Sequence, residues 1–421
     1  MELPRAENRR RIRALAIILL FLFVSNIFDP GGTLGLKYLA FLVAVLSSLW
    51  TLKFFYMSPR VLALGLIVFV VWPIWSLLYG AARGGDLSVG VSQVTPFLFA
   101  CVLALILPAF DSRTPLRIFY ACIFLLAPVV IASFAVVFLL PDSSLSQTLL
   151  EIFTQLHERE GYFGMKSMGD LEVPIVYFGS SLFLVPTFVY YLFVGRLLRA
   201  GVTLLAIGLT FSKAGITIAL VFGAFYSISA LFSRTVLRVR ERARMLLHKR
   251  LRKFLAVVVV GGVASGLLLS IPAFSDQIRD AWAGESETAL TRMGHFHSVM
   301  NLFLQNPHYL IVGQGAGIPF YSVGESDYIQ SFELDHLNAI RKFGLPWFLG
   351  FSALVLLSAW KLVITPDLEM RAFGFALISM YLAAGTNPVL MTPLFIMLLT
   401  LSYFAQRAGH ESTNSRLVGE L

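Results

Sequence analysis

The stretch VLALGLIVFVVWPIWSLLYG, residues 61–80, carries no charged side chain and is long enough to cross a bilayer as one helix. Similar apolar stretches recur along the chain, in which 57% of residues are hydrophobic and only 14% are charged. A soluble protein of 421 residues could not bury so much apolar surface in one core. The sequence therefore predicts an all-α polytopic membrane protein, with residues 1–421 forming a single integral membrane domain.

We expect about twelve transmembrane helices, because a helix of about 20 residues matches the hydrocarbon thickness of a bilayer. They are predicted at residues 13–28, 34–51, 61–80, 92–110, 118–140, 173–194, 197–211, 214–232, 254–273, 344–364, 372–384 and 388–405. Several arginines precede the first stretch, as in a signal peptide, but no small-residue cleavage site follows it. The first helix is therefore predicted to be a retained signal anchor.

Lysine and arginine residues are concentrated in every second connection, starting with the N-terminal segment. Basic connections stay in the cytoplasm, so both termini and a basic loop at 233–253 are predicted to be cytoplasmic. A smaller loop at 141–172 and a large loop at 274–343, between the ninth and tenth helices, then lie on the opposite side. The net charge of +9 is thus explained by topology, and we expect no nucleic-acid partner.

The large loop gathers ionisable residues, which are costly inside a bilayer and are therefore expected at a functional site. Glu333, Asp335 and His336 come just before the tenth predicted helix. An imidazole with a near-neutral pKa can accept a proton, and a neighbouring carboxylate can orient it. Either His336 or one of the two carboxylates is a candidate general base, and charge pairing within an interfacial loop is the alternative.

Cations in and beyond this loop are candidates for binding an anion. Arg292 offers a planar guanidinium suited to phosphate oxygens, unless it is a solvated helix-surface residue. Lys213 lies in the short Ser-Lys-Ala-Gly segment at 212–215, between two apolar stretches. There it is expected either to face a cavity as an anion site or to extend toward lipid headgroups.

Two other patterns in the large loop predict local structure rather than a functional site. Apolar periodicity predicts a helix over residues 287–305, ended by Asn306 and Pro307, and lying along the membrane surface or capping the bundle. His295 and His297 are two residues apart and cannot share a face of that helix, which argues against a metal site. The segment GQGAG at 313–317 lacks a strand–loop–helix context and is predicted to be a flexible turn.

Taken in order, these motifs resemble those of the bacterial O-antigen polymerase and O-antigen ligase family. The resemblance is carried by Arg292, by the Asn-Pro pair followed by GQGAG, and by His-Leu-Asn at 336–338 before Gly-Leu at 344–345. Ser-Lys-Ala-Gly at 212–215 and Thr-Asn-Pro at 386–388 resemble further family segments. The resemblance implies a membrane glycosyltransferase of the GT-C-like fold, independent of metals and cofactors, in the bacterial inner membrane.

The resemblance also implies the reaction, which is glycan transfer from polyprenyl diphosphate on the periplasmic face. Because Leu337 follows His336 and the glycine spacing departs from the ligase pattern, we favour a polymerase of O antigen, capsule or exopolysaccharide repeat units. An O-antigen ligase that transfers glycan to lipid A-core is the alternative. A lipid-linked glycan transporter is less favoured, since the predicted helices carry few charges and their two halves do not match.

The chemistry assigns roles to the candidates. Lys213, Arg292 and Arg341 would neutralise the departing diphosphate, and His336, Asp335 or Glu333 would deprotonate the acceptor hydroxyl. Lipid-linked glycans, as donor and acceptor, and membrane lipids are the expected partners. A flippase and a chain-length regulator are further expected partners of a polymerase.

Overall fold

A computed structural model of the chain describes residues 5–52, 58–156, 163–168, 171–210, 212–235 and 287–419. The predicted ninth helix, almost all of the basic loop at 233–253 and the start of the large loop lie outside the described residues. The chain divides into two compact units, one formed by Met1–Leu125 with Thr291–Leu421 and the other by Leu126–Leu290.

The described chain is mainly helical. In chain order the helices are α1 (Arg5–Phe28), α2 (Leu36–Thr51), α3 (Pro59–Leu66), α4 (Trp72–Ala82), α5 (Leu87–Ile106), α6 (Thr114–Leu139), α7 (Ser144–Leu156), α8 (Leu184–Val194), α9 (Leu197–Leu209), α10 (Lys213–Thr235), α11 (Glu287–Gln305), α12 (Tyr309–Val312), α13 (Asp335–Phe343), α14 (Leu345–Val363), α15 (Leu368–Ala383) and α16 (Pro393–Gly419). Two antiparallel hairpins pair β1 (Phe163–Met168) with β2 (Leu171–Val176), and β3 (Phe320–Ser322) with β4 (Asp327–Ile329).

Five of the described helices are long and apolar enough to cross a membrane: Arg11–Phe28, Pro59–Ala82, Leu87–Ala109, Thr114–Leu139 and Leu345–Val363. Shorter apolar helices lie at Leu36–Thr51, Ser181–Val194, Leu197–Leu209, Lys213–Ser229 and Pro393–Gln406. The predicted class, an all-α membrane protein, is therefore confirmed, although two small hairpins accompany the helices. The helix predicted at 287–305 is confirmed with the same bounds.

The sixth predicted transmembrane helix, at 173–194, is wrong as a continuous helix. Its first residues form strand β2, and helical structure begins only at Ser181. Pro174 and the β-branched residues around it favour an extended chain, and Gly179 separates the two structures. The remaining helix is shorter than a bilayer, and every residue of Leu184–Phe193 is buried.

In the first unit, α5 packs against α2, α4 and α16, while α14 packs against α15 and α16. A π-helical turn, Ile67–Val71, joins α3 to α4. The indole Nε1 of Trp347 in α14 donates to the Val68 carbonyl oxygen at 2.9 Å. Trp72 likewise donates to the Phe343 carbonyl oxygen at 2.6 Å, which ties α4 to the end of α13. These contacts hold the end of α13 and the start of α14 against the α3–α4 segment.

Candidate functional site

A polar joint between α15 and α16, residues 384–392, is the structural centre of the candidate site. Its backbone turns on itself, with the Gly385 and Thr386 N–H groups donating to the Leu382 and Ala383 carbonyl oxygens. The Asn387 amide donates to the Ala383 carbonyl and to the Thr386 hydroxyl. The joint therefore satisfies much of its own hydrogen bonding and can present its remaining groups to side chains from elsewhere.

His336, near the start of α13, lies against this joint. Its ring centroid is 4.7 Å from that of Tyr381 and 5.6 Å from that of Phe348. A Cβ atom built on Gly385 would be 3.8 Å from the imidazole Nδ1, so the ring lies beside the joint at this glycine. Aromatic packing on two sides thus fixes the orientation of the imidazole.

The other ring nitrogen of His336, Nε2, is buried and has no hydrogen-bond partner among the described residues. A buried polar atom without a partner costs about 1–3 kcal/mol, and such atoms often mark functional positions. Burial lowers the pKa of His336, and a hydrogen bond to the Tyr381 backbone raises it in part. The lowered pKa favours the neutral imidazole, which is the form that can accept a proton.

Arg292, in α11, reaches the same joint from another direction. Its Nε and Nη2 atoms both contact Oε2 of Glu333, at 2.7 and 2.5 Å. Nη2 also donates to the Thr386 carbonyl oxygen at 3.4 Å. Since Gly385 and Thr386 are adjacent, the guanidinium and the imidazole of His336 lie at neighbouring residues of one turn. We call Arg292, Glu333 and His336 the Arg–Glu–His cluster.

The Asp335 side chain stabilises the structure of the joint. Its carboxylate Oδ2 accepts a 2.5 Å hydrogen bond from the backbone N–H of Leu390, which fixes the joint to α13. Burial raises the pKa of Asp335, while this hydrogen bond and the charge of Lys342 lower it in part. Burial lowers the pKa of Lys342, and its ammonium lies 3.3 Å from the Ser331 hydroxyl. The Asp335 and Lys342 charges interact, as residues two turns apart on one face of a helix can.

Arg341 is fully buried and its guanidinium is already engaged by the protein. Nη1 donates to the Gln314 side-chain oxygen at 2.7 Å and to the Ile318 carbonyl at 3.1 Å. Nη2 donates to the Gln330 carbonyl at 2.8 Å and to the Asn338 side-chain oxygen at 3.0 Å. Four protein oxygens thus surround the group predicted to bind diphosphate, which gives Arg341 the geometry of a structural residue.

The glycine loop, residues 313–317, is buried rather than the flexible turn that the sequence predicts. The Gln314 and Gly315 N–H groups donate to the carbonyl oxygens of residues 341 and 342, at 2.5 and 3.3 Å. The Ala316 N–H donates to Ser76, and the Gly317 N–H to the Gln93 side-chain oxygen. These backbone donors are occupied, so the loop does not form a phosphate cradle.

Lys213 belongs to the second unit, where it is the first residue of α10 and is exposed. Ser212 caps this helix, its hydroxyl accepting a hydrogen bond from the Gly215 N–H at 3.2 Å. A lysine at this end adds its charge to the positive end of the helix dipole, and both favour a nearby anion. The predicted role of Lys213 in anion binding remains a prediction.

His295 is buried between α11 and the β3–β4 hairpin. Its Nδ1 is 2.6 Å from the Ser322 hydroxyl, and its Nε2 is 3.7 Å from a Glu325 carboxylate oxygen. Burial lowers the pKa of His295, and the nearby glutamates raise it in part. Because Ser322 is fully buried, this trio fastens the hairpin to α11. Among the described residues, no group of three His, Cys, Asp or Glu side chains could hold a metal ion.

Several contacts of the candidate site were not predicted from the sequence. The Thr386 carbonyl and the Tyr381 ring contact predicted residues from distant parts of the chain, and Gly385 lies beside one of them. In the sequence, these contacts were indicated only by the polar Thr-Asn-Pro segment before the last apolar stretch. A scan against models of protein families and a search of curated proteins each find no match to this chain.

Proposed function

We propose that this chain is a glycosyltransferase that polymerises oligosaccharide repeat units carried on polyprenyl diphosphate. The observation that carries the proposal is the placement of Arg292 and His336 at adjacent residues of the joint. A cation and a neutral base near the same turn are the two kinds of group that this transfer requires. Aromatic packing and burial hold the base in position before the substrate arrives.

The acceptor hydroxyl oxygen attacks the anomeric carbon of the donor sugar, and the bond from that carbon to the diphosphate oxygen breaks. The diphosphate leaves with the electron pair, and the Arg292 guanidinium stabilises its charge. The hydroxyl proton passes to the imidazole of His336, a step that requires the bound acceptor to open access to Nε2, which is buried in the free protein. This single displacement inverts the anomeric configuration. Loss of one such charge-stabilising group typically lowers a rate about 10²–10³-fold.

We place the reaction on the periplasmic face of a bacterial inner membrane, in a GT-C-like fold of about twelve transmembrane helices with cytoplasmic termini. The distribution of lysine and arginine supports this orientation. The candidate transmembrane helix Leu345–Val363 begins just after α13 ends, which supports a cluster close to a membrane surface. That position suits a substrate whose diphosphate lies at the headgroup level.

The test is a transfer assay with full-length protein in nanodiscs and lipid-linked oligosaccharides extracted from cells that make the protein. Wild-type protein should extend the repeat units into a ladder of polymer, separated on a gel. His336→Ala and Arg292→Ala should leave single units unextended. His297→Ala, an exposed histidine of α11, is the matched control and should retain activity.

The same assay separates the alternatives. A polymerase extends repeat units without lipid A-core, whereas a ligase forms product only when lipid A-core is added. A transporter would form neither product, but it would move lipid-linked glycan across the membrane of a vesicle. Full polymer from folded His336→Ala and Arg292→Ala proteins would refute the proposed role of the cluster.

A further inference from the structure

Helix α7, Ser144–Leu156, lies in the smaller loop, and only residues 140–143 separate it from the end of α6. Helix α6 is a candidate transmembrane helix of 26 residues, so it is about 39 Å long and exceeds the hydrocarbon thickness of about 30 Å. Its C-terminal end therefore lies near the headgroups of a bilayer that it spans. Because the connection is short, α7 begins at the same level.

Hydrogen bonds fix the connection from α6 to α7. The Ser143 hydroxyl donates to the Leu140 carbonyl oxygen at 2.7 Å and accepts from the Ser146 N–H at 3.1 Å. The Gln147 N–H donates to the Ser143 carbonyl oxygen at 3.1 Å, as at the beginning of a helix. Ser143 is thus the N-cap of α7. This cap holds the start of α7 close to the end of α6.

Helix α7 has an apolar side and a polar side. Leu145, Leu149 and Ile152 are spaced at i, i+4 and i+7, so they share one side of the helix, and we call them the apolar stripe. Leu145 is 54% exposed and Ile152 is 45% exposed, while Leu149 is half-buried. Gln147 and Glu151 lie on the opposite side and are exposed. The apolar stripe is therefore not part of the protein core.

The bilayer at the end of α6 provides an apolar environment for this stripe. Phe138, Leu139 and Leu140, at the end of α6, are large apolar residues that are also exposed, as expected where a helix contacts lipid. Helix α7 has 13 residues, which are too few to cross a bilayer. An amphipathic helix of this kind lies along a membrane surface, with its apolar side about 5–10 Å into the boundary between headgroups and acyl chains.

The charge of α7 indicates which property of the membrane it recognises. The sequence of α7 contains no lysine or arginine, and Glu151 is its only charged residue. Attraction to anionic lipids cannot hold such a helix at a membrane, so burial of the apolar stripe must supply the free energy. We propose that α7 is an interfacial membrane anchor, whose apolar stripe inserts into the bilayer at the end of α6 without a requirement for anionic lipid. Since α7 packs against β1, the anchor also holds the β1–β2 hairpin at the membrane surface.

The experiment measures the depth of α7 by electron paramagnetic resonance, with full-length protein in phosphatidylcholine nanodiscs. Cys101 and Cys122 are replaced by alanine, and a single spin label is attached at Leu145→Cys or Ile152→Cys. Oxygen is enriched in the bilayer and a nickel chelate stays in water, so the ratio of their collision rates with the label reports depth. Labels at these two positions should collide with oxygen more often than with the nickel chelate.

Gln147→Cys and Glu151→Cys are the matched controls, because they place the same label on the polar side of the same helix. Their labels should collide more often with the nickel chelate, and their ratio of oxygen to nickel collisions should be several-fold lower. All four native side chains are exposed, so the variants should fold, and gel filtration checks that each is monodisperse. Phosphatidylglycerol added to the nanodiscs should leave the four ratios unchanged.

Three outcomes would refute the membrane anchor. If labels at Leu145 and Ile152 favour the nickel chelate as the control labels do, the apolar stripe faces water. If they are shielded from both oxygen and the nickel chelate, another part of the chain or a second copy of it covers the stripe. If they reach the bilayer only when phosphatidylglycerol is present, anionic lipid rather than burial of the stripe holds α7 at the membrane.

Discussion

At the scale of single residues, the protonation of His336 should set the pH dependence of transfer. Burial lowers its pKa from the ordinary value of 6.5. A general base loses activity as pH falls through its pKa, so the midpoint of the acid limb of kcat/KM should lie below the ordinary histidine value. His336→Gln should lower kcat about 10²–10⁴-fold while donor binding persists. An unchanged acid limb in a still active His336→Gln protein would assign the base to another group.

The stability of the folded protein must be measured at the same pH values as activity, because both are expected to fall as the pH falls. The pKa values of His295 and His336 are lowered in the folded protein, so the unfolded chain binds more protons just below pH 6.5. Their contribution to stability therefore rises with pH through this window and is lost on acidification. A Tm measured at each pH separates loss of fold from loss of the base.

Arg341 should behave as a structural residue. Arg341→Met removes the donors to four protein oxygens, and we expect a loss of stability of about 3 kcal/mol or more, measured as a lower Tm. Arg341→Lys should recover part of that loss. Folded Arg341→Lys protein should keep the wild-type KM for the donor. A clearly higher KM with an unchanged Tm would instead support the predicted role of Arg341 in binding diphosphate.

At the scale of elements, the glycine loop fastens α13 to α4 and α5 through backbone contact. Gly315 has φ 106°, and a Cβ there would lie 2.6 Å from the Gly80 Cα atom. Gly84 has a similar φ of 82°, but nothing lies within 4 Å of its Cβ position. Gly84→Ala should therefore cost only the backbone strain, about 1–2 kcal/mol.

Gly315→Ala should cost clearly more than Gly84→Ala, because two backbones must also separate. The measurement is the Tm of each purified variant, with gel filtration to confirm a monodisperse protein. Equal losses of Tm in the two variants would mean that the glycine loop can move at little cost in free energy and does not hold α13 in place.

Local signals explain which elements the sequence could predict. Helix α11 was predicted with its bounds because apolar periodicity and the Asn-Pro stop lie within the segment itself. The segment at 173–194 was misassigned because hydropathy does not distinguish a strand followed by a buried helix from one long helix. The glycine loop was misjudged because its packing depends on Gly80 and Lys342, which are distant in sequence.

The candidate site was only partly predictable for the same reason. Residue chemistry identified Arg292, Glu333 and His336 as an anion-binding group and two candidate bases. It could not show that Arg292 pairs with Glu333 or that the joint brings the cluster together. It also could not show that Asp335 faces Leu390, since an acidic residue beside a histidine in sequence need not contact it in a helix.

At the scale of the whole molecule, ion pairs connect two segments that were predicted to share the cytoplasmic side. Arg113 pairs with Asp367, and the Arg117 guanidinium contacts Glu369 at 2.8 Å. These side chains bring the start of α6 to the start of α15. The positive-inside rule assigned both connections to the same side from their basic residues.

The orientation of the first unit can be tested with two exposed positions, Asp327 in the hairpin and Pro366 between α14 and α15. The candidate transmembrane helix Leu345–Val363 lies between them, so they should face opposite sides of the membrane. In a protein with Cys101 and Cys122 replaced by alanine, Asp327→Cys should react with an impermeant maleimide in intact spheroplasts. Pro366→Cys should react only after permeabilisation. The reverse pattern would invert the orientation and place the cluster in the cytoplasm, and equal labelling would mean that α14 does not span the membrane.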